Sequence, residues 1–189
     1  MNHAFEHSRK IKEEAEQLLT QTKLENLLAK FGQVNLDGSY AYNLMVDRDL
    51  DFGVAVRSVT PEIRAEIART FASQSWAYSV NITDRVNFEP LSNLGAPRGL
   101  YLGLTIPFPI ERWNIDVWFV VSEDLPQDNI ANLVQNATSE QRSAILQIKY
   151  DLMQSGQKQK GQTSSEIYKA VLQKNIKTTA EFLELQTLT

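Results

Sequence analysis

The sequence contains no cysteine, which excludes disulfide bonds, thiolate nucleophiles and cysteine metal ligands. An absence of cysteine is typical of proteins kept in reducing conditions, so we expect a cytoplasmic location. Histidine is also scarce, with only two residues in 189. His3 and His7 have the i, i+4 spacing of a helical metal pair, but no third ligand accompanies them, and we assign them no metal.

Long apolar runs and an excess of basic charge are missing as well. No stretch approaches the roughly 18–20 consecutive apolar residues that a membrane-spanning helix needs, so we expect no membrane partner. The charged N-terminus has the pattern of a helix and not of a signal peptide. Acidic residues outnumber basic ones by 23 to 19. Because surfaces that bind phosphate backbones are usually strongly basic, we expect no nucleic-acid partner, and a template-dependent polymerase is disfavoured.

The residues that are present predict an α/β (α+β) fold, with a mixed sheet between helical ends. Helical patterns cover residues 4–31, 60–72, 138–154, 163–173 and 178–186. Strand patterns cover residues 33–37 and 50–57. The segment 76–121 has the pattern of several strands, one of them at 85–89. Within that segment, residues 101–119 resemble neighbouring antiparallel strands. We expect a domain over residues 1–125 and a helical C-terminal region over residues 126–189, with a flexible connector at 154–165.

Three aspartates occupy strand positions where carboxylates are unusual. Asp49 and Asp51 share one face of the strand "DLDFGVAV", because side chains two residues apart point the same way. Asp116 lies in the apolar strand "WNIDVWFVV", where an unpaired buried carboxylate is costly. If the two strands are neighbours, each carboxylate pair about 4 Å apart repels by roughly 4 kcal/mol at an effective dielectric near 20. Protonation, basic partners or divalent cations must offset this repulsion.

Divalent cations suit such a group of carboxylates. Mg²⁺ prefers hard oxygen ligands and binds through a few carboxylates, water and substrate phosphates. Two such ions can activate an attacking hydroxyl and neutralise a leaving pyrophosphate. Gly38 and Ser39 are predicted to form a tight turn, in which the glycine lets the backbone approach a phosphate and the serine hydroxyl donates a hydrogen bond. The pattern predicts a phosphate-binding turn beside a carboxylate triad.

Together these residues resemble the DNA polymerase beta superfamily of nucleotidyltransferases. The signature is Gly-Ser or Gly-Gly, a short gap, an Asp-x-Asp/Glu pair flanked by apolar residues, and a third acid on a later strand. Here Gly38-Ser39 is followed, after nine residues, by Asp49-Leu50-Asp51-Phe52, and Ile115-Asp116-Val117 matches the third position. The resemblance covers residues 33–121 and is closest to small bacterial members, including aminoglycoside and lincosamide adenylyltransferases. Asp37 departs from it, since the family more often has an apolar residue before the glycine.

The resemblance implies a metal-dependent nucleotidyltransferase. Asp49, Asp51 and Asp116 would bind two Mg²⁺ ions, and Asp116 would also act as the general base. Gly38 and Ser39 would hold the triphosphate of a nucleoside triphosphate, with ATP as the expected donor. A nucleoside monophosphate would pass to a hydroxyl of a small molecule or protein, with release of pyrophosphate.

Some roles stay open at this stage. Lys149 is assigned to the nucleotide site because relatives often bring a basic group from the following helix, but a solvated helix face fits it equally well. Arg48 is either a phosphate contact or a surface arginine, and Trp118 belongs to the core or to a pocket wall. Tyr40 and Tyr42 either line the nucleotide pocket or pack under the turn.

The alternative function is a catalytically degenerate nucleotidyltransferase-like domain that serves as an interaction module, such as a sensor or a toxin–antitoxin component. Such a module would keep the carboxylates by inheritance or use them in salt bridges. The helical segments at both ends of the chain offer surfaces for a partner or for a homodimer.

Overall fold

A computed structural model describes residues 3–86, 97–121, 129–156 and 163–187. The helices and strands of these residues are α1 (His3–Thr22), α2 (Leu24–Leu28), β1 (Gln33–Asp37), α3 (Gly38–Ala41), β2 (Asp49–Val56), α4 (Pro61–Ala72), β3 (Ser79–Asp84), β4 (Leu100–Pro107), β5 (Arg112–Val121), α5 (Asn129–Gln135), α6 (Ser139–Ser155), α7 (Ser164–Lys174) and α8 (Thr179–Thr187). The predicted α/β architecture with a helical C-terminus is confirmed. In the ranges given above, no helix is long and apolar enough to cross a bilayer.

The five strands form one mixed sheet in the order β1-β2-β5-β4-β3. The central pair, β2 and β5, is parallel, and every other neighbouring pair is antiparallel. The prediction that residues 101–119 contain neighbouring antiparallel strands is therefore confirmed. Because β5 pairs with β2 on one side and β4 on the other, it is the strand through which both halves of the sheet are joined.

The two faces of the sheet differ because the strand sequences alternate. In β2 the even-numbered residues from Leu50 to Val56 are buried, and the odd-numbered residues are only half-buried. On the apolar side, the ring of Phe31 lies 5.7 Å from that of Phe119 and 6.4 Å from that of Phe71 in α4. Burying each such side chain contributes about 1.5–3 kcal/mol to stability. The other face is left for polar side chains.

The chain divides into two compact units. The sheet unit consists of Glu14–Gly38 and Arg48–Gln127, and the helical unit of Met1–Glu13, Ser39–Asp47 and Asp128–Thr189. The buried core of the helical unit comprises Ala4, Leu44, Val46, Ile130, Val134, Ile145, Leu146, Ile148, Leu152, Ile167, Tyr168, Ala170, Val171 and Phe182. The domain boundary predicted between residues 125 and 126 lies outside the described residues and stays a prediction.

Local signals explain where several helices begin. Thr60 and Thr163 each accept a hydrogen bond from the backbone N–H three residues on, and Thr138 forms a complete capping box with Gln141. The helical pattern of residues 4–31 forms two helices, because Lys23 takes a left-handed conformation between α1 and α2. The strand expected at 85–89 is wrong for its first two residues, because β3 ends at Asp84, and its remainder lies outside the described residues. Half of the connector predicted at 154–165, residues 157–162, also lies outside them. The prediction is wrong at residues 154 and 155, which end α6, and at residues 164 and 165, which begin α7.

Candidate active site

The half-buried face of the sheet carries the predicted carboxylates. Asp49 and Asp51 begin β2 and alternate with the buried residues Leu50 and Phe52. The parallel pairing of β2 with β5 puts Asp51 in register with Asp116. Register partners on adjacent strands point to the same face and lie roughly 5 Å apart. The three aspartates singled out from the sequence therefore share one face of two neighbouring strands.

Gly38 lies against the Asp51 carboxylate. Its φ of 65° is in the left-handed region, which glycine adopts without strain. A Cβ atom on this residue would lie 2.2 Å from Asp51 Oδ2, so the position excludes any side chain on steric grounds as well. Asp37 ends β1, and its Oδ1 accepts a hydrogen bond of 2.7 Å from the Gly38 amide. The unusual residue before the glycine is thus an aspartate that caps the end of the strand.

The tight turn predicted for Gly38 and Ser39 is wrong in detail, because these residues begin the short helix α3. The helix is followed by a backbone hydrogen bond of 2.9 Å from the Leu44 amide to the Ser39 carbonyl. The positive φ of Gly38 lets the chain leave β1 and enter this helix directly. The donors after the glycine are therefore the backbone N–H groups of a helix start and not those of a turn.

Tyr101 of β4 is a residue of this face that the sequence analysis missed. Its hydroxyl donates a hydrogen bond of 2.6 Å to Asp116 Oδ1. Burial raises the pKa of Tyr101, and the hydrogen bond to Asp116 and the negative charges of Asp116 and Asp49 raise it further. The phenol therefore stays protonated near neutral pH and acts as a donor. A signal was present, since Tyr101 and Gly103 alternate with buried leucines and so belong to the polar face.

An arginine and a tryptophan flank this hydrogen bond. The Arg85 guanidinium lies 5.0 Å from the ring centroid of Trp118 and 6.0 Å from that of Tyr101, both within the range of cation–π contact. The charge of Arg85 lowers the pKa of Tyr101 and so offsets part of the effect of the carboxylates. Trp118 shares the half-buried face with Asp116, which agrees with a pocket wall and not with the sheet core.

The donor set suits a divalent cation that binds together with a nucleotide. Asp51 and Asp116, in register on adjacent strands, offer hard carboxylate oxygens, and Asp49 lies on the same face. Over the part of the chain that the structure describes, no group of three or more His, Cys, Asp or Glu side chains is placed to hold a metal ion. Mg²⁺ commonly uses one or two carboxylates and completes its shell with water and substrate phosphates. The residues fit that arrangement better than a site built from protein ligands only.

In the helical unit, Lys149 reaches Ser39. The Lys149 side chain is only 5% exposed, which excludes the solvated helix face that the sequence left open. Its Nζ donates hydrogen bonds of 2.7 Å to Ser39 Oγ and 2.7 Å to the Leu44 carbonyl. The Tyr168 hydroxyl lies 3.1 Å from Ser39 Oγ, and its ring centroid lies 5.6 Å from Lys149 Nζ. Burying an ammonium group is costly, and these polar partners offset the cost.

Arg48 has ion-pair partners within the sheet unit. Its Nε and Nη2 donate to the two oxygens of Glu14 at 2.9 and 3.3 Å, and its Nη1 donates to Glu111 at 3.1 Å. A two-pronged arginine–carboxylate pair of this kind is geometrically specific. The structure therefore favours a structural ion pair over the phosphate contact considered for this residue.

The remaining candidates lie in the helical unit. His7 Nε2 is 2.8 Å from the Val46 carbonyl, and His7 belongs to no group of potential metal ligands among the residues described. The ring of Tyr42 is edge-on to that of Tyr168, with centroids 6.0 Å apart. Tyr40 lies beneath the Lys12 ammonium at 5.3 Å. Both roles considered for the two tyrosines, lining a nucleotide pocket and packing under the turn, stay predictions.

No family model and no curated protein sequence matches this chain. Several solved structures, however, are similar to this chain. A cytoplasmic RNA terminal U-transferase aligns with a TM-score of 0.57 and 14% identity over 87% of this chain and 46% of its own length. The polymerase core of TRAMP, an RNA surveillance complex, aligns with a TM-score of 0.53 and 16% identity, over 88% of this chain and 47% of its own length. The Cid1 poly(U) polymerase, solved with Mg and 3′-dATP bound, aligns with a TM-score of 0.53 and 14% identity, over 75% of this chain and 42% of its own length. The chain has the nucleotidyltransferase fold.

The chain spans less than half the length of each of these three polymerases. Its nucleotidyltransferase fold confirms the architecture predicted from the Gly-Ser, Asp-x-Asp and third-aspartate pattern. The mixed sheet with the parallel β2–β5 pair is the part of that fold that brings Asp51 and Asp116 together.

Proposed function

We propose that this protein is a metal-dependent nucleotidyltransferase. It would move a nucleoside monophosphate from a nucleoside triphosphate to an acceptor hydroxyl and release pyrophosphate. The observation that carries the proposal is the register of Asp51 with Asp116 in a nucleotidyltransferase fold. When bound, Mg²⁺ would neutralise charge on the phosphates and make the acceptor hydroxyl more acidic.

The proposed roles of the carboxylates are those that the superfamily resemblance implies. Asp49 and Asp51 would hold the metal ions through their oxygens. Asp116 would be a further metal ligand and would accept the proton of the acceptor hydroxyl. Because Asp116 Oδ1 already accepts the hydrogen bond from Tyr101, Oδ2 is the atom that would take up this proton. Most of the rate acceleration would come from positioning and charge stabilisation.

Gly38, Ser39 and Lys149 would bind the triphosphate. Support comes from the hydrogen bond between Lys149 and Ser39, the residue that follows Gly38 in the chain. A buried lysine brings a positive charge to this segment, and a compact ammonium group suits phosphate oxygens. The backbone amides at the start of α3 would add uncharged donors.

The acceptor is the open part of the proposal. The sequence favours a small-molecule or protein hydroxyl, as in the antibiotic adenylyltransferases that it resembles, because the net charge is −4. The structural neighbours include an RNA terminal U-transferase and the polymerase core of an RNA surveillance complex, which makes an RNA 3′ hydroxyl the competing acceptor. ATP is the first donor to test, and UTP the second, since one neighbour is a poly(U) polymerase with UTP selectivity. We propose a cytoplasmic location.

Isothermal titration with non-hydrolysable ATP and UTP analogues, with and without Mg²⁺, tests the proposal. We expect Mg²⁺-dependent binding in the wild-type protein and its loss in Asp49→Asn and Asp51→Asn. Both variants should remain folded or gain stability, because the substitution removes repulsion between carboxylates. Asp84→Asn is the matched control, since Asp84 is also in the sheet unit but pairs with Arg64 at 3.2 Å. Transfer of labelled nucleotide to RNA, small-molecule and protein hydroxyls then identifies the acceptor.

Absence of Mg²⁺-dependent binding for ATP, UTP, GTP and CTP analogues would contradict the enzymatic proposal. The degenerate interaction module would then be the better explanation. An interaction module would associate with a protein partner without nucleotide, and Asp49→Asn and Asp51→Asn would leave that association unchanged.

A further inference from the structure

Tyr101 reaches Asp116 across the antiparallel β4–β5 pair. Tyr101 is in register with Trp118, and Gly103 is in register with Asp116. The tyrosine side chain therefore extends diagonally, two residues along the partner strand from Trp118, to bring its hydroxyl 2.6 Å from Asp116 Oδ1. Diagonal neighbours on a sheet face are within reach of aromatic side chains.

Gly103 keeps this diagonal path open. A Cβ atom on Gly103 would lie 2.9 Å from the Tyr101 hydroxyl oxygen and 3.2 Å from the nearest ring carbon. Any side chain at this position would push the hydroxyl away from Asp116. The hydrogen bond thus depends on a glycine in register with the proposed catalytic carboxylate.

The ring of Tyr101 has lateral support. Its centroid lies 5.1 Å from that of Trp118 with an interplanar angle of 48°, and the Arg85 guanidinium lies 6.0 Å from it. Contacts on two sides restrict how far the hydroxyl can move. By contrast, the last torsion of an aspartate is broad and nearly two-fold, so Asp116 needs an outside contact to hold one orientation.

We propose that Tyr101 is a positioning residue that holds Asp116 by Oδ1 and so presents Oδ2 to the metal and the acceptor hydroxyl. This inference rests on the proposed nucleotidyltransferase function. Residues that donate hydrogen bonds to a metal-binding carboxylate commonly tune metal affinity and activity. The competing interpretation, in which Tyr101 blocks Asp116 until a metal displaces it, predicts the opposite change in metal affinity.

Binding of Mn²⁺ in the presence of a non-hydrolysable nucleoside triphosphate, followed by the loss of its free-ion EPR signal, tests the proposal. Tyr101→Phe keeps the ring against Trp118 and removes only the hydroxyl. We expect about 10-fold weaker Mn²⁺ binding. In transfer assays kcat should fall by a similar factor, while KM for the nucleotide changes little.

Gly103→Ala provides an independent variant that keeps the tyrosine and should reproduce the effect by displacing its hydroxyl. Tyr78→Phe is the matched control, because this tyrosine in the same unit is 64% exposed and should tolerate loss of its hydroxyl. In an Asp116→Ala background, which has no oxygen to accept the hydrogen bond, Tyr101→Phe should cause no further loss, since the tyrosine acts through the carboxylate.

The outcomes separate this inference from the function on which it rests. Wild-type Mn²⁺–nucleotide binding that Tyr101→Phe leaves equal or makes tighter would overturn the positioning role alone. A loss of Mn²⁺ binding on Tyr101→Phe that has the same size in the Asp116→Ala background would also overturn it. Absence of Mn²⁺–nucleotide binding by the wild-type protein would overturn the proposed function together with this inference.

Discussion

Replacing Gly38 by alanine is expected to destabilise the sheet unit and to displace the Asp51 carboxylate. An L-residue in the left-handed conformation, which Gly38 adopts with φ of 65°, costs about 1–2 kcal/mol. The new Cβ would lie 2.2 Å from Asp51 Oδ2, 3.0 Å from its Cγ and 3.3 Å from its Cβ, so the whole side chain must move. Overpacking of this kind adds about 1–3 kcal/mol, which gives an expected loss of about 2–5 kcal/mol.

Gly156→Ala is the matched control for this substitution. Gly156 ends α6 with nearly the same backbone conformation, φ of 62°, and none of the described residues lies within 4 Å of a Cβ placed there. Only the backbone cost of about 1–2 kcal/mol applies to it. The difference between the two variants, about 1–3 kcal/mol, therefore measures the cost of moving Asp51.

Urea denaturation followed by far-ultraviolet circular dichroism gives the free energy of unfolding of each variant. Isothermal titration gives their Mg²⁺-dependent nucleotide binding, which Gly38→Ala should lose and Gly156→Ala should keep. In an Asp51→Ala background, Gly38→Ala should cost no more than Gly156→Ala does. Equal losses for the two glycine variants in the wild-type background would refute the contact between Gly38 and Asp51.

Two further substitutions test other parts of the structure. Lys149→Met should lower the free energy of unfolding by about 1–3 kcal/mol for each buried acceptor that it leaves unpaired. It should also weaken nucleotide binding. The control, Lys169→Met on an exposed part of α7, should change neither the stability nor the binding. Thr138→Ala should destabilise α6 by about 1 kcal/mol in urea denaturation. It should also raise the pKa of Glu140 in an NMR titration, because the backbone amide of Glu140 and the Thr138 hydroxyl both lower that pKa. A lowered pKa stabilises the folded state above the ordinary value of a glutamate, so the stability difference caused by this effect should shrink as pH falls.

Strand faces and the antiparallel pairing of β4 with β5 were predictable from the sequence, but the parallel pairing of β2 with β5 was not. Alternation with Leu50 and Phe52 is enough to assign Asp49 and Asp51 to one face, and the same logic assigns Asp116. Nothing local in the sequence specifies that β2 and β5 are parallel neighbours with Asp51 opposite Asp116, because that pairing depends on contacts between distant segments. The superfamily resemblance supplied the expectation that local pattern could not.

Lys149 illustrates a residue whose environment only the packing of helices decides. Its neighbours in α6 follow the helical repeat, with Ile145, Ile148 and Leu152 buried, but a lysine is usually solvated. The structure can bury it because Ser39 Oγ and the Leu44 carbonyl accept hydrogen bonds from its ammonium group. These acceptors lie more than a hundred positions away in the chain, so no local pattern could have indicated them.

Tyr101 could have been found with one more step of inference. A β4–β5 hairpin in which Pro107 pairs with Arg112 puts Tyr101 opposite Trp118 and Gly103 opposite Asp116. That register depends on how many residues form the loop between the strands, which the sequence of the loop leaves ambiguous. Tyr101 stands among leucines, but it lies on the other face of their strand.

The central position of β5 has a consequence for the growing polypeptide. β5 comes last of the five strands in the chain and pairs with both β2 and β4. Until it is synthesised, β1–β2 and β3–β4 can exist only as separate antiparallel pairs, each with an open strand edge prone to wrong association. Contacts between distant segments also form slowly. Insertion of β5 covers both edges and delivers Asp116 to Asp51 in the same event, so a nascent chain acquires its proposed metal ligands only when its sheet is complete.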